Sequence, residues 1–563
     1  MTKLYDVVIA GAGPIGLFLA CELALSGASV LVLERDVNPS SPWKAIPLGL
    51  RGLNTQSVEF FHRRGLLSKL WGPGQRATFF EKTGPKFAGH FAGIFFDGNK
   101  LDLKRFKYTL DGPALQPAPT NLEKLQTVLT QRAEELGVEI RRGCAVTDIA
   151  AQDAGSVTVE ATLAGPGEGA HESRELFRGR WLVGCDGGRS AVRKAAGFEF
   201  VGTEPKTTNY ALQCELDHPE NLKPGFQQSG TGMYTMMSTI PLMAHIYGQF
   251  AGTVLFLQEF DNGAYDRSQA ATQEHLQGVL ERVTGNKDTK ITKVYLVNTF
   301  TDRTKQTTQY RRGRVLLAGD ANHIHPPLGG QGLNLGLGDA MNLGWKLGAL
   351  IRREAQLQAQ AQAQQAATTQ PELEKTPEQQ LAEADDLALL DTYESERRPI
   401  GAWLLDYTRA QVNSLQPDEY GRATYALLRD LIATTDGANY FIERSWGLSL
   451  RYVFGDGDDQ HPVVGRSVPD FELADGARLG SKMEGARGLL VDFGENAELK
   501  ALLGEGDPKY EERVDYLALS AKDTCGLSAL LVRPDGVVAW AVDEGSEPDV
   551  GAAKAALERW FRF

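Results

Sequence analysis

Cysteine is scarce in this chain: Cys21, Cys144, Cys185, Cys214 and Cys525 are all it has, and each stands far from the next. No CxxC pair and no CxxC…His cluster occurs, which argues against a metal centre or a disulfide framework and fits a reducing, cytoplasmic compartment. Positive charge is short as well. The 59 Lys and Arg against 72 Asp and Glu leave a net charge of −13 at pH 7, a balance that speaks against nucleic acid as a partner. No run of 18 uncharged apolar residues is present, so neither a transmembrane helix nor a membrane partner is expected. Asp6 and Glu22 interrupt the apolar start and Lys3 is its one basic residue, so the N-terminus does not read as a secretory signal. At 563 residues the chain exceeds one core and should divide into three or four domains.

Glycine, by contrast, is abundant at 61 residues, and it gathers where apolar strands pass into turns. Residues 4–34 read strand, turn, helix, strand. Two further strand ends, "RWLVGCDGG" at 180–188 and "RVLLAGD" at 314–320, carry Gly or Gly-Asp turns. Together they predict one parallel sheet whose strands lie far apart in sequence. Between them, "TGMYTMMSTIP", "MAHIYGQFAG" and "TVLFLQEF" are β-branched and aromatic runs split by Gly and Pro, the signature of antiparallel strands. The expected organisation is a discontinuous α/β domain (1–200 and 301–350), an inserted β-sheet domain (201–300), a helical connection (351–460) and a small α/β domain (461–563). Within the connection, the Ala/Gln-rich stretch 355–386 reads as a mobile insert or a solvent-exposed helix extension.

The first glycine turn fits GxGxxG: Gly11 makes the turn, Gly13 lets backbone approach a pyrophosphate, and Gly16 allows close helix–strand packing. Pro14 and Ile15 open the helix, whose N-terminal N–H groups favour phosphate. Glu34, 18 residues past Gly16 and followed by Arg35, closes the next strand and suits two ribose hydroxyls. The fingerprint occurs once, and alone it would serve NAD(H) or FAD equally. In the second turn, Asp186 ends a strand and Ser190 can cap the following helix. In the third, Asp320 follows Gly319 where a carboxylate can accept from a polyol, and Pro326-Pro327 stiffen the turn. Gly330, Gly332, Leu333 and Asn334 then present nearly bare backbone at a helix N-terminus. A flat ring carrying negative charge, such as reduced flavin, suits that place. The glycines there are expected to clear space for an isoalloxazine.

In this order and at these separations, the three motifs resemble the class A flavoprotein monooxygenases, the single-component aromatic hydroxylases of the para-hydroxybenzoate hydroxylase fold. The resemblance spans about 1–350 in its specific motifs and implies a Rossmann-like FAD-binding domain with an inserted antiparallel-sheet substrate domain. It gives Arg51, in "RGLNTQSVEFFHRRGLL", a contact to FAD, and puts the backbone of Val146 near the adenine. The tail, "HPVVGRSVPDFEL" onward, is similar to the thioredoxin-like domain of the subgroup acting on polycyclic polyketides and rifamycins. Lacking CxxC, it is expected to serve packing or assembly rather than redox chemistry. Two departures stand out. Gly49 replaces an arginine common in the subgroup, and Asn121 and Leu122 occupy the neighbourhood of a family glutamine.

The activity implied is hydroxylation of a phenolic, polycyclic aromatic substrate with FAD, NADPH or NADH as transient donor, and O2, oxygen being transferred from a flavin C4a-hydroperoxide. Such an enzyme would act as a monomer or homodimer. The alternatives are Baeyer–Villiger insertion on a polyketide ketone and a flavin oxidoreductase without oxygen insertion. A halogenase is disfavoured because no WxWxIP occurs. His245 and Tyr247 could deprotonate a phenol but read better as ordinary strand residues, so no catalytic side chain and no metal ligand is assigned.

Overall fold

From Val7 to Ala10 every residue of the strand Leu4–Ala10 is buried, as a strand covered on both faces requires. Trp181 lies opposite Val7 on one side and Val30 on the other, both in parallel register. The sheet built outward from it runs Arg311–Arg312, Val315–Leu317, Ser173–Gly184, Leu4–Ala10, Val30–Glu34, Glu139–Arg142, with the strands Cys144–Gln152 and Val157–Leu163 as a flanking hairpin. Three chain segments more than a hundred residues apart therefore end side by side. This computed structural model describes residues 3–71, 86–164, 173–237, 250–367, 377–455, 460–506 and 509–562.

The helix Pro14–Leu25 begins with proline at its first position, where a missing N–H is harmless. Leu17, Phe18, Leu19 and Leu23 are fully buried, each worth roughly 1.5–3 kcal/mol of apolar burial. Its partner is the helix Gly332–Ala367, which crosses the domain boundary expected at 350. It continues into the Ala/Gln-rich stretch as far as Ala367. The helix Pro377–Ser414 returns, followed by Glu419–Ile432 and Thr435–Trp446.

The inserted sheet is antiparallel throughout, in the order Gly225–Gln228, Gly232–Met236, Thr253–Glu259, Thr208–Asp217, Lys290–Thr301. Alternation gives it two unlike faces. Tyr210, Leu212, Tyr234, Leu255 and Leu257 share a core with Leu276, Val279 and Leu280 of the helix Gln273–Thr284. Asn209, Ala211, Met233, Thr235, Phe256 and Gln258 point the other way.

The tail is a four-stranded mixed sheet with the helix Val550–Phe561, as the thioredoxin-like reading expects. Trp345, Ala349 and Leu389 of the two long helices belong to its core, so it is docked rather than tethered. Arg64 makes a two-point bond to buried Glu22 at 2.7 Å each and donates to the carbonyls of Met483 and Pro534 at 2.8 and 2.9 Å. Arg533 grips Glu396 with two bonds of 2.8 and 2.9 Å. Its guanidinium lies 4.4–5.7 Å from the ring centres of Trp345, Tyr452, Phe454 and Trp560.

Candidate active site

The first turn has the shape its spacing predicts. Gly11 adopts φ +103°, and a Cβ on it would lie 2.5 Å from the Cys185 carbonyl; one on Gly16 would lie 2.0 Å from the Gly11 carbonyl. Gly13 differs: nothing lies within 4 Å of the position its Cβ would take. The turn thus leaves room beside Gly13, at the positive end of the helix opened by Pro14 and Ile15. Glu34 Oε2 accepts from the Ala12 N–H at 2.6 Å and Oε1 from the Asp36 N–H at 2.9 Å, so the acid also braces the turn. Exposed Arg35 pairs with exposed Asp36. On the outer neighbour, Arg142 lies opposite Glu34, and Val146 sits at an irregularity in the strand that follows.

A buried glutamine, Gln126, stands one helical turn past Asn121 and Leu122. Asn121 caps the helix Leu122–Glu135 by accepting from the Lys124 N–H. Gln126, buried on that helix, donates to the Ala12 carbonyl at 2.9 Å and leaves Oε1 without a partner among the described residues. A lone amide in the apolar stripe of Leu125, Val128 and Leu129 was the available signal. Gly49 has a steric reason: a Cβ there would lie 1.9 Å from the Lys44 carbonyl, so no arginine can stand at that position.

Asp186 uses Oδ2 to accept from the Ala191 and Val192 N–H groups at 2.7 and 3.2 Å, while Ser190 caps the same helix through Arg193. Asp186 Oδ1 is buried and has no partner among the described residues. Arg193 joins the second turn to the third, donating to the carbonyls of Gly188 and Ala321 at 2.9 Å each.

Arg51 and Asp320 are solvent-accessible, yet protein walls surround both, as in a cleft. Burial raises the Asp320 carboxyl above its ordinary value against the pull of His323 and Arg51, and it lowers Arg51 against the pull of Asp320. Arg51 Nη1 donates to the Leu48 and Leu50 carbonyls at 3.1 and 2.5 Å. Behind the third turn lies a carboxylate the sequence reading passed over. Buried Asp339 meets His323 Nε2 at 2.6 Å, accepts from the Gly319 N–H at 3.1 Å, and accepts from Arg397 at 2.9 Å. It holds the backbone that presents Asp320.

The glycines of this stretch divide into two groups. A Cβ on Gly336, Gly344 or Gly348 would come within 2.4–2.7 Å of Ile15, Glu22 or Ser26, so these three let the two helices touch. Gly330 and Gly332 line the opening itself. Gly330 has φ +66° and nothing near its Cβ position, and Pro327 beside it is exposed. Asn334 is a brace: its amide accepts from the Asn54 N–H and donates to the Gly52 and Gly330 carbonyls. That leaves the backbone N–H groups of Gly332, Leu333 and Asn334, the helix's first turn, to face a ligand.

Facing this loop is the helix-free side of the inserted sheet. The hairpin Phe87–Asp97 joins them: Met233 packs with Ala88, Phe91 and Phe96, and the His90 carbonyl lies 3.7 Å from the Cβ position of Gly329. The sequence assigned that hairpin to the nucleotide domain, but its side chains bury against the sheet and the helix Thr435–Trp446. His245 and Tyr247 fall outside the described residues. A separate cavity of about 360 Å³ lies between Thr55–Glu59, Tyr108–Leu115 and Pro462–Asp470, away from all three turns.

The open space beside Gly13, the Gln126 and Asp186 oxygens without partners among the described residues, and the bare helix terminus at Gly332 fit FAD laid along the strand ends. Residues 4–372 match the FAD binding domain family, and residues 461–562 match the C-terminal domain of aromatic-ring hydroxylases. A monooxygenase of Claviceps purpurea (strain 20.1) is 43% identical over 99% of this chain and 97% of its own length. The 12-dehydrotetracycline 5-monooxygenase/anhydrotetracycline 6-monooxygenase of Streptomyces rimosus is 38% identical over 99% of each chain. The solved anhydrotetracycline hydroxylase OxyS from Streptomyces rimosus superposes with a TM-score of 0.77 at 34% identity, covering both chains fully. This chain belongs to the FAD-dependent aromatic-ring hydroxylases.

Proposed function

We propose that the chain hydroxylates a phenolic, polycyclic aromatic compound, with NADPH or NADH as transient reductant, in the cytoplasm, as a monomer or homodimer. The observation that carries the reading is that the hairpin Phe87–Asp97 brings the loop before the helix Gly332–Ala367 beside the face of the inserted sheet that carries Phe226, Met233, Thr235 and Phe256. The tetracycline-type substrates named for its relatives support the same class of ring system. Bound FAD would supply reduction by nicotinamide and activation of O2. Gly13 and the helix at Pro14 would hold its pyrophosphate, Glu34 its ribose, and the first turn from Gly332 the electron-rich edge of its ring. Arg51 and Asp320 would line the cofactor cleft, with Arg35, Val146, Asp186 and Gln126 at the nucleotide end. The inserted sheet would exclude water from the bound ring, which would strengthen polar contacts there. Among the described residues all five thiols are free, which supports a reducing compartment. Product masses after incubation with candidate polycyclic phenols test the reading: a gain of one oxygen supports it. Flavin oxidation by O2 with no oxygenated product from any of them would replace it with a non-inserting oxidoreductase.

A further inference from the structure

The hairpin Phe87–Asp97 carries a histidine that no role above employs. His90 borders the loop before the long helix, as its carbonyl near Gly329 shows. Its imidazole packs against Phe226, ring centres 4.7 Å apart and tilted by 47°. Phe226 stands opposite Thr235 in the antiparallel ladder, so both lie on the helix-free face of the sheet. Thr235 is 3% exposed, and its hydroxyl has no hydrogen-bond partner among the described residues. His90 and the Thr235 hydroxyl therefore both neighbour the ring of Phe226, on the side of the sheet that borders the cofactor loop.

The proton on His90 follows from one bond. The Gly93 N–H donates to His90 Nδ1 at 3.2 Å; that nitrogen must offer a lone pair, so in the neutral ring the proton is assigned to Nε2. Burial brings the imidazole down to about 4, so it is neutral at pH 7. In this tautomer His90 is a donor and has no lone pair with which to take a proton from a substrate.

We propose that His90 Nε2–H and the Thr235 hydroxyl together hold a phenolate oxygen of the aromatic substrate, with Phe226 as the stacking surface between them. The assignment rests on the hydroxylase reading above. Two donors on one oxygen favour phenolate over phenol, and the proton leaves to solvent. The ring becomes more electron-rich without a protein base.

Three variants of the FAD-loaded enzyme test it. His90→Phe keeps a ring on Phe226 and removes the donor, His90→Gln restores an N–H, and Thr235→Val keeps shape and removes the hydroxyl. The probe is whichever of 2-naphthol, alizarin and 1,8-dihydroxyanthraquinone binds wild-type enzyme tightest, with phenolate absorbance read alongside affinity. His90→Phe should weaken binding by about 10- to 100-fold, the range for a hydrogen bond to a charged group, and lower the phenolate fraction of bound probe. His90→Gln should recover most of both, and Thr235→Val should reproduce the loss in part, with FAD content unchanged throughout. Wild-type affinity and phenolate fraction in His90→Phe overturn the clamp; if that variant fails to hold FAD, wild-type behaviour of Thr235→Val does so. A wild-type enzyme that binds none of the probes removes the hydroxylase reading and the clamp with it. One that binds a probe indifferently to both changes removes the clamp alone.

Discussion

Gly13→Ala places one methyl group in the mouth of the first turn. Gly13 has φ −70° and ψ 174°, extended values open to any residue, and no heavy atom lies within 4 Å of the new Cβ. The apoprotein should therefore tolerate it. Restricting the unfolded chain stabilises by about 0.4–1 kcal/mol, and alanine is a poorer helix N-cap than glycine by a similar amount, so the two nearly cancel. Any effect on FAD must come from the space the methyl occupies. Crowding a close contact costs about 1–3 kcal/mol, which weakens FAD by about 5- to 150-fold. Apoprotein melting and FAD titration by flavin fluorescence quenching separate the two quantities. Wild-type FAD affinity at wild-type stability would refute the reasoning, because the pyrophosphate would then not lie against Gly13.

Arg51→Ala removes a charge-assisted donor worth about 1.5–3 kcal/mol from the cleft, so FAD affinity by the same titration should fall about 10- to 100-fold. Arg533→Ala leaves Asp535 buried without its cation and Glu396 with Lys346 alone, and urea unfolding should show a loss of about 3–5 kcal/mol. Cys525→Ser should leave turnover intact, since burial pushes that buried thiol up to about 11 and no second cysteine of the tail stands near it. His90 and His325 are both held near 4 by burial. Between pH 6.5 and 4 the unfolded chain binds protons that the native chain refuses, so stability should fall as pH drops through that window. Each contributes at most about 1.4 kcal/mol per pH unit. Urea unfolding at pH 7 and pH 5 should show a shallower drop for His90→Phe, and an unchanged drop would place the proton uptake elsewhere.

The parallel sheet and the three turns were legible because backbone demands glycine there and few residues substitute for it. Gly11 and Gly16 do what their spacing says, and Ser190 caps as its position says. The loop glycines were only half legible, since a glycine that admits a ligand and one that admits a neighbouring helix look alike in sequence. Gly330 and Gly344 differ only in what stands across from them. Asp339 was passed over because its partners, His323 and Arg397, lie 16 and 58 residues away. His90 was invisible for the same reason: its meaning comes from Gly329 and Phe226, which the fold brings from beyond position 220. The hairpin's allegiance to the sheet was hidden too, because the aromatic residues that bury it sit on a helix 350 residues downstream.

The grip on Arg533 constrains how this protein can vary. Its carboxylate partner Glu396 and one of its rings, Trp345, belong to the long helices, while Phe454, Tyr452 and Trp560 come from the connection and the tail. A tail borrowed from a relative would arrive with its arginine and meet whatever those helices present. Exchange between relatives is therefore expected to succeed only when the helical pair travels with the tail, and a recombination point near 461 should yield insoluble chimaeras while one before 332 should not.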